Sequence, residues 1–242
     1  MKTMAVNTGL TNLRQVIPSS DRFVRDMGPS EYLGQVGSVR DGLYRRRAKR
    51  WLDIGLTVLL VLPVTLIVAI IALLVAVDGG RPFYVQPRVG RGGRTFPMFK
   101  IRTMVRDAEA VLKRHLEDDP SARAEWLHRQ KLRHDPRITP LGRFLRRTSL
   151  DELPQFYNVL RGDMTLVGPR PFLPEQKAYY DGEEYYLMRP GITGFWQTSE
   201  RNETSFVQRV AYDRCYYHAL SPLTDIRVIG RTLKVVLRGT GM

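Results

Sequence analysis

Twenty-four consecutive residues, Ile54 to Val77, carry no charge: IGLTVLLVLPVTLIVAIIALLVAV. At about 1.5 Å per residue, a helix of that length crosses a hydrocarbon core of roughly 30 Å. A soluble helix keeps a polar stripe. This one is apolar on every face, which predicts insertion into a membrane. Pro63 sits near its middle, removes one backbone donor and predicts a kink. Both flanks are basic, with Arg45, Arg46, Arg47, Lys49 and Arg50 before the segment and Arg81, Arg88, Arg91 and Arg94 after it. Basic flanks favour the cytoplasmic side. Both are satisfied if the segment enters, bends at Pro63 and leaves on the same face; one kinked span is the alternative. Asp53, at the edge, is expected to pair with a neighbouring arginine.

The rest of the 242 residues must serve a chain held at a lipid surface. Lys and Arg outnumber Asp and Glu by 38 to 24, a formal charge of +14. That excess calls for anionic partners, whether nucleic acid, anionic lipid or phosphorylated substrates, and does not choose among them. Cys215 stands alone, which excludes an intrachain disulfide and suits a reducing compartment. Residues 1–44 are mixed and polar, interrupted by Pro18, Gly28 and Pro29, and read as a tail or accessory segment rather than a secretory signal.

Beyond the apolar segment, Gly79, Gly80 and Pro82 end the helix. Phe83 to Met104 alternates apolar and basic residues around Gly90, Gly92 and Gly93, and reads as a β-hairpin. Asp107 to Gln130 reads as a charged surface helix, or two, broken near Pro120. Leu141 to Arg147 sets Leu141, Phe144 and Leu145 against Arg143, Arg146 and Arg147, the pattern of a helix at a bilayer surface or docked on a core. Pro169 to Gly194 is loop-rich, and Ile226 to Leu237 reads as a terminal helix.

The chemistry concentrates between Arg146 and Pro171: RRTSLDELPQFYNVLRGDMTLVGPRP. Ser149 or Thr148 is placed to cap a helix starting near Leu150, with Asp151 and Glu152 in its first turn. Two carboxylates there, with Arg146 and Arg170 in reach, suit a phosphate and metal site. A carboxylate can attack phosphorus and form an acyl phosphate, Mg²⁺ neutralises charge between carboxylate and phosphate oxygens, and arginine forks bind diphosphates. Adjacent residues on a helix point about 100° apart, which suits two different roles and argues against a facing glycosidase pair. The competing structural reading is a capping box, Ser149 with Glu152, and Asp151 favouring the helix dipole. Trp196 suits stacking on uracil or sugar, or core packing. Tyr179, Tyr180, Tyr185 and Tyr186 suit a membrane interface or packing between helices. His115, His128, His134 and His218 lack metal-ligand spacing.

With these residues in view, the chain resembles the bacterial sugar transferase family, the monotopic phosphoglycosyl transferases, from about Arg45 to Met242. The resemblance rests on the basic-flanked apolar segment with its central proline and on FKIRTM at Phe99 to Met104. It continues through DPRITPLGRFLRRTSLDELPQFYNVLRGDMTLVGPRP at Asp135 to Pro171, RPGITGFWQTSERN at Arg189 to Asn202, and the closing LRGTGM. It points to the exopolysaccharide-initiating branch.

The resemblance implies an α+β, predominantly helical monotopic membrane enzyme. Its parts are a re-entrant helix-break-helix at 45–80, surface amphipathic helices, a small β-hairpin or sheet, and a cytoplasmic catalytic domain at 81–242. Where the family carries a serine before the central proline, this chain has Leu62. The implied reaction moves a hexose 1-phosphate from a UDP-sugar, glucose or galactose, to undecaprenyl phosphate at the bacterial inner membrane. Asp151 is implied as nucleophile and Glu152 as its partner in holding Mg²⁺, phosphate or the acceptor proton. Arg146, Arg170, Lys100 and Arg102 are implied in phosphate binding. The partners implied are the nucleotide sugar, the lipid phosphate and the bilayer, with no nucleic acid; a homodimer is compatible. A non-catalytic basic membrane protein, binding or regulatory, is the alternative; it explains the charge and the apolar helix but not the DELPQ helix start or the Pro-Arg-Pro turn.

Overall fold

The computed structural model describes residues 42–129, 132–198 and 208–237, with the side chains of 128, 129, 208 and 237 excepted. The tail reading for 1–44 falls almost wholly outside them, as do the ends of two motifs, at 199–202 and 238–242. The described chain is predominantly helical with two small sheets.

A π-helical turn at Tyr44–Ala48 leads into α1, Lys49–Ala76. α1 is the helix long and apolar enough to cross a membrane among the described residues. Its surface faces outward, with Leu59 74% and Leu62 79% exposed. Pro63 lies inside the helix. β1 (Phe83–Val89) and β2 (Thr95–Ile101) form the expected two-stranded sheet, turned at Gly90, whose N–H donates to the Arg94 carbonyl at 2.7 Å. The charged stretch forms two helices, α2 (Ala108–Asp118) and α3 (Pro120–Arg129), with the break at Pro120. Then come α4 (Pro140–Thr148), α5 (Gln155–Arg161), β3 (Thr165–Val167), α6 (Glu184–Leu187), β4 (Gly191–Thr193), α7 (Phe195–Thr198), α8 (Gln208–Ala219) and α9 (Pro222–Leu237). β3 and β4 pair in parallel, Thr165 with Gly191 and Val167 with Thr193.

The chain folds as two compact units that do not follow chain order. The first holds the described residues up to Leu62, with Val85–Met98 and Gln155–Val235. Its core joins Val159, Met164, Val167, Phe195, Tyr212 and Tyr216. A second cluster stacks Phe172 on Tyr180, ring centroids 4.9 Å apart, with Tyr185 fully buried beside them. Tyr180 and Tyr185 are therefore packing residues, while Tyr179 is exposed.

At the start of α1, Asp53 is buried and accepts from the Thr165 hydroxyl and from the Leu166 N–H at 3.2 Å. Its nearest cation is Lys49, at 4.0 Å, not an arginine. The nearby arginines are engaged elsewhere: Arg50 donates to the Val159 and Leu160 carbonyls, and Arg45 to the Tyr217 carbonyl. Lys49 Nζ also donates to Asp225 Oδ2 at 2.6 Å, as does the Tyr44 hydroxyl at 2.6 Å.

The second unit comprises Pro63–Tyr84 and Phe99–Pro154 with the last described residues, 236–237. Ile71, Ile101 and Leu145 form its core, with Val68, Val75, Leu141 and Leu150 against them. α4 is thus docked through Leu141 and Leu145, and Phe144 stays 47% exposed.

Candidate functional site

The site is built on the exit of α4. Thr139 caps that helix, its Oγ1 accepting from the Gly142 N–H at 2.9 Å, and Pro140 follows where a missing N–H costs nothing. Gly142 lets the helix meet the strand backbone: a Cβ there would lie 2.0 Å from the Thr103 carbonyl oxygen. At the far end Ser149 adopts a left-handed conformation, φ 58°, which stops the helix and redirects the chain. A 3₁₀ turn, Leu150–Glu152, follows.

This differs from the expected helix start. Ser149 terminates one helix instead of capping the next, and its side chain makes no capping bond. The next helix begins at Gln155, behind Pro154. The capping-box reading of Ser149 and Glu152 therefore fails, and both carboxylates lie on the turn between two helices.

Asp151 is 8% exposed. Its own backbone N–H donates to it, and no cation ion-pairs with it among the described residues. Burial pushes its carboxyl up to about 6, Glu152 adding to the rise while Lys100 and Arg146 act against it. Lys100 Nζ donates to Glu152 Oε1 at 2.7 Å. Arg146 Nε donates to Thr103 Oγ1 at 2.9 Å, and burial pushes its guanidinium down.

The second unit therefore gathers Asp151, Glu152, Lys100 and Arg146 about one turn. Arg102 lies two residues beyond Lys100 but is bonded to Val75 and Asp78. Arg170 belongs to the first unit, its guanidinium 5.6 Å from the Trp196 ring centre. Arg209, buried on α8 of the same unit, stands 5.3 Å from the same ring and 5.8 Å from Phe172. Burial pushes the Arg209 guanidinium down. Sequence reading missed Arg209, which lies in no quoted motif, and Thr103, a neutral residue within FKIRTM whose partner stands 43 positions away. Among the described residues no three His, Cys, Asp or Glu side chains converge as a metal centre. Asp151 and Glu152 are the adjacent carboxylates at this turn.

A family model described as bacterial sugar transferase matches residues 44–239, an interval containing the whole of this turn and both flanking helices. The chain belongs to that family. Undecaprenyl-phosphate galactose phosphotransferase of Salmonella typhimurium is 46% identical over 198 residues, covering 81% of this chain and 42% of that protein. Exopolysaccharide production protein ExoY of Sinorhizobium fredii is 40% identical over 197 residues, covering 80% and 87% respectively. Undecaprenyl-phosphate glucose phosphotransferase of Komagataeibacter xylinus is 38% identical over 200 residues, covering 77% and 35%. The chain thus spans less than half the length of the two phosphotransferases and most of ExoY. In this bacterial sugar transferase, the matched interval includes α1 together with both carboxylates, so the apolar helix and the acidic turn belong to one family unit.

Proposed function

We propose that this bacterial sugar transferase moves a hexose 1-phosphate from a UDP-sugar to undecaprenyl phosphate, as the first membrane step of exopolysaccharide assembly. Asp151 carries the reading. It is a buried carboxylate with no ion-pair partner among the described residues, held near Lys100 and Arg146 at a tight turn. A buried carboxylate whose ionisation is opposed by burial, set beside charged partners, is the pattern of a reacting group.

In the first step an Asp151 carboxylate oxygen attacks the β-phosphorus, and the bond from that phosphorus to the bridging oxygen breaks. UMP leaves with the electron pair, and the sugar phosphate remains on Asp151 as an acyl phosphate. In the second step an oxygen of undecaprenyl phosphate attacks the same phosphorus. The acyl–phosphate bond breaks, giving undecaprenyl diphosphate sugar and free Asp151. Lys100 keeps Glu152 in place and offsets its charge; Arg146, fixed by Thr103, offsets charge on the phosphoryl oxygens. Arg170 is assigned to the diphosphate.

Mg²⁺ fits this pair. Magnesium is held by one or two carboxylates with substrate phosphates completing its shell, so a three-residue centre is not required. Asp151, whose ionisation burial opposes, is relieved by a nearby cation. Asp151 and Glu152 would hold the ion, and it would supply charge neutralisation at the phosphates.

The sugar is assigned as glucose or galactose because relatives carry those names. We propose that residues 45–80 form a re-entrant membrane hairpin bending at Pro63, which lies within the continuous helix α1, and that residues 81–242 form a catalytic domain on the cytoplasmic face of the inner membrane. The basic clusters on both sides of α1 support that topology. The test is UMP release from a panel of UDP-sugars with Mg²⁺ and undecaprenyl phosphate, alongside intact-mass measurement with donor alone. A hexose phosphate adduct is expected in the native chain and not in Asp151→Asn. Adduct persisting in that variant overturns the assignment.

A further inference from the structure

Four consecutive residues at the end of β2 each hold a different part of the second unit. Lys100 donates to Glu152 at 2.7 Å. Ile101, 2% exposed, packs with Ile71 and Leu145. Arg102 Nη2 donates to the Val75 carbonyl at 3.0 Å and to Asp78 Oδ1 at 2.6 Å. Thr103 Oγ1 receives Arg146. The Arg102 backbone N–H pairs with the Pro82 carbonyl at 2.8 Å, just past the last residue of β2, Ile101.

Val75 and Asp78 stand at the C-terminal end of α1. The last carbonyls of a helix lack intrahelical donors, and its dipole favours a cation there. The guanidinium lies against Gly80, where a Cβ would come within 2.7 Å of Nη1 and 2.8 Å of Cζ and Nη2. The remaining donors, Nε and Nη1, are buried, and the side chain is 13% exposed. Both donors are closed to solvent in this arrangement.

We infer that Arg102 is a positioning residue. It ties the exit of the apolar helix to the strand carrying Lys100, holds Lys100 on Glu152, and does not bind substrate phosphate. The inference rests on the reading of Asp151 and Glu152 as the reacting pair. It replaces the phosphate-binding role that family resemblance implies for Arg102. Lys100 becomes the link between membrane anchor and chemistry: the helix end sets the strand, and the strand sets the ion pair.

The test compares Arg102→Ala, Arg102→Lys and Gly80→Ala in the full chain, in lipid nanodiscs. Gly80→Ala keeps the charge of Arg102 but takes its seat. The first readout needs no turnover: acylation of Lys100 by a water-soluble amine reagent, followed by peptide mass. Lys49, 13% exposed and paired with Asp225, is the internal control. In Arg102→Ala and Gly80→Ala, Lys100 is expected to react about tenfold faster with Lys49 unchanged. Arg102→Lys should stay near the native rate, because one nitrogen makes both bonds.

The second readout is steady-state UMP release. Misplacing a group by about 1 Å costs on the order of a hundredfold, so kcat should fall about that much in Arg102→Ala and Gly80→Ala, with both KM values within about twofold. Arg102→Lys should recover most of it. Lys100 staying protected in both variants overturns the inference. So does a raised KM for either substrate with kcat held, which would mark a phosphate ligand. Should Arg102→Ala lose its fold and expose both lysines, Gly80→Ala and Arg102→Lys decide. If the native chain releases no UMP, the functional reading fails and the acylation result still judges Arg102.

Discussion

Lys100 Nζ lies 2.7 Å from Glu152 Oε1, and the same lysine acts against the rise in the Asp151 carboxyl. One cation thus serves both carboxylates. Replacing it with methionine removes this ion pair from the partly buried Glu152 and a positive charge from the reacting centre. Turnover is expected to drop by a factor of about 10²–10³, the usual cost of losing one electrostatic contact to a transition state. Lys100→Arg should retain more activity. UMP release measures both, and a Lys100→Met rate within about threefold of native would contradict the shared role.

Asp151 should be a stability liability at neutral pH. Its folded value, about 6, lies above the ordinary 3.8, so the folded chain holds this proton more tightly than the unfolded chain. The penalty is absent below the ordinary value, grows between the two, and is complete above about 6. A shift of that size is worth roughly 2–3 kcal/mol. Asp151→Asn, without added magnesium, should therefore melt several degrees above native at pH 8, and the gap should close towards pH 4. A gap independent of pH, or of opposite sign, counts against the buried carboxylate. In the native enzyme, adduct formation should fall as pH drops through about 6, since a protonated carboxyl is a poor nucleophile.

Gly142→Ala is expected to be severe although it adds one methyl group. The new Cβ would sit 2.0 Å from the Thr103 carbonyl oxygen, so helix and strand must separate. Thr103 anchors Arg146, and activity should fall with stability. A loss of about 3 kcal/mol or more is expected, read as a lowered melting temperature in detergent. A variant that melts like native would show that α4 moves off freely.

Thr165→Val tests the base of α1. It removes the hydroxyl that donates to Asp53 and leaves a buried carboxylate one donor short. The cost should be about 1–3 kcal/mol. Thr165→Ser should recover most of it, and equal melting of the valine and serine variants would rule out the hydrogen bond as the cause.

Local patterns in the sequence pointed correctly to α1, the β1–β2 hairpin and the break at Pro120, and left Leu141 and Leu145 open between a bilayer surface and a core. Each of the first three is decided by neighbours within a few residues. The acidic pair was legible as a site, but its setting was not. S-x-x-E matches a helix start, yet Pro154 delays the next helix and Ser149 ends the previous one. The β3–β4 pairing was invisible because three-residue strands have no useful period. The partners of Asp53 stand 112 and 113 positions away. Arg102 looked like any basic neighbour of Lys100; only its bonds to Val75 and Asp78 show that it faces the helix end.

Ser149 imposes a filter on its own position. A side chain at φ 58° is tolerated when it is short and polar, and refused when it branches at Cβ. Glycine, asparagine and aspartate should be accepted there, while valine, isoleucine and threonine should swing the acidic turn out of line without touching any reacting atom. The aim of the nucleophile is thereby written into a backbone torsion two residues upstream, where a search for chemically active side chains would pass it by.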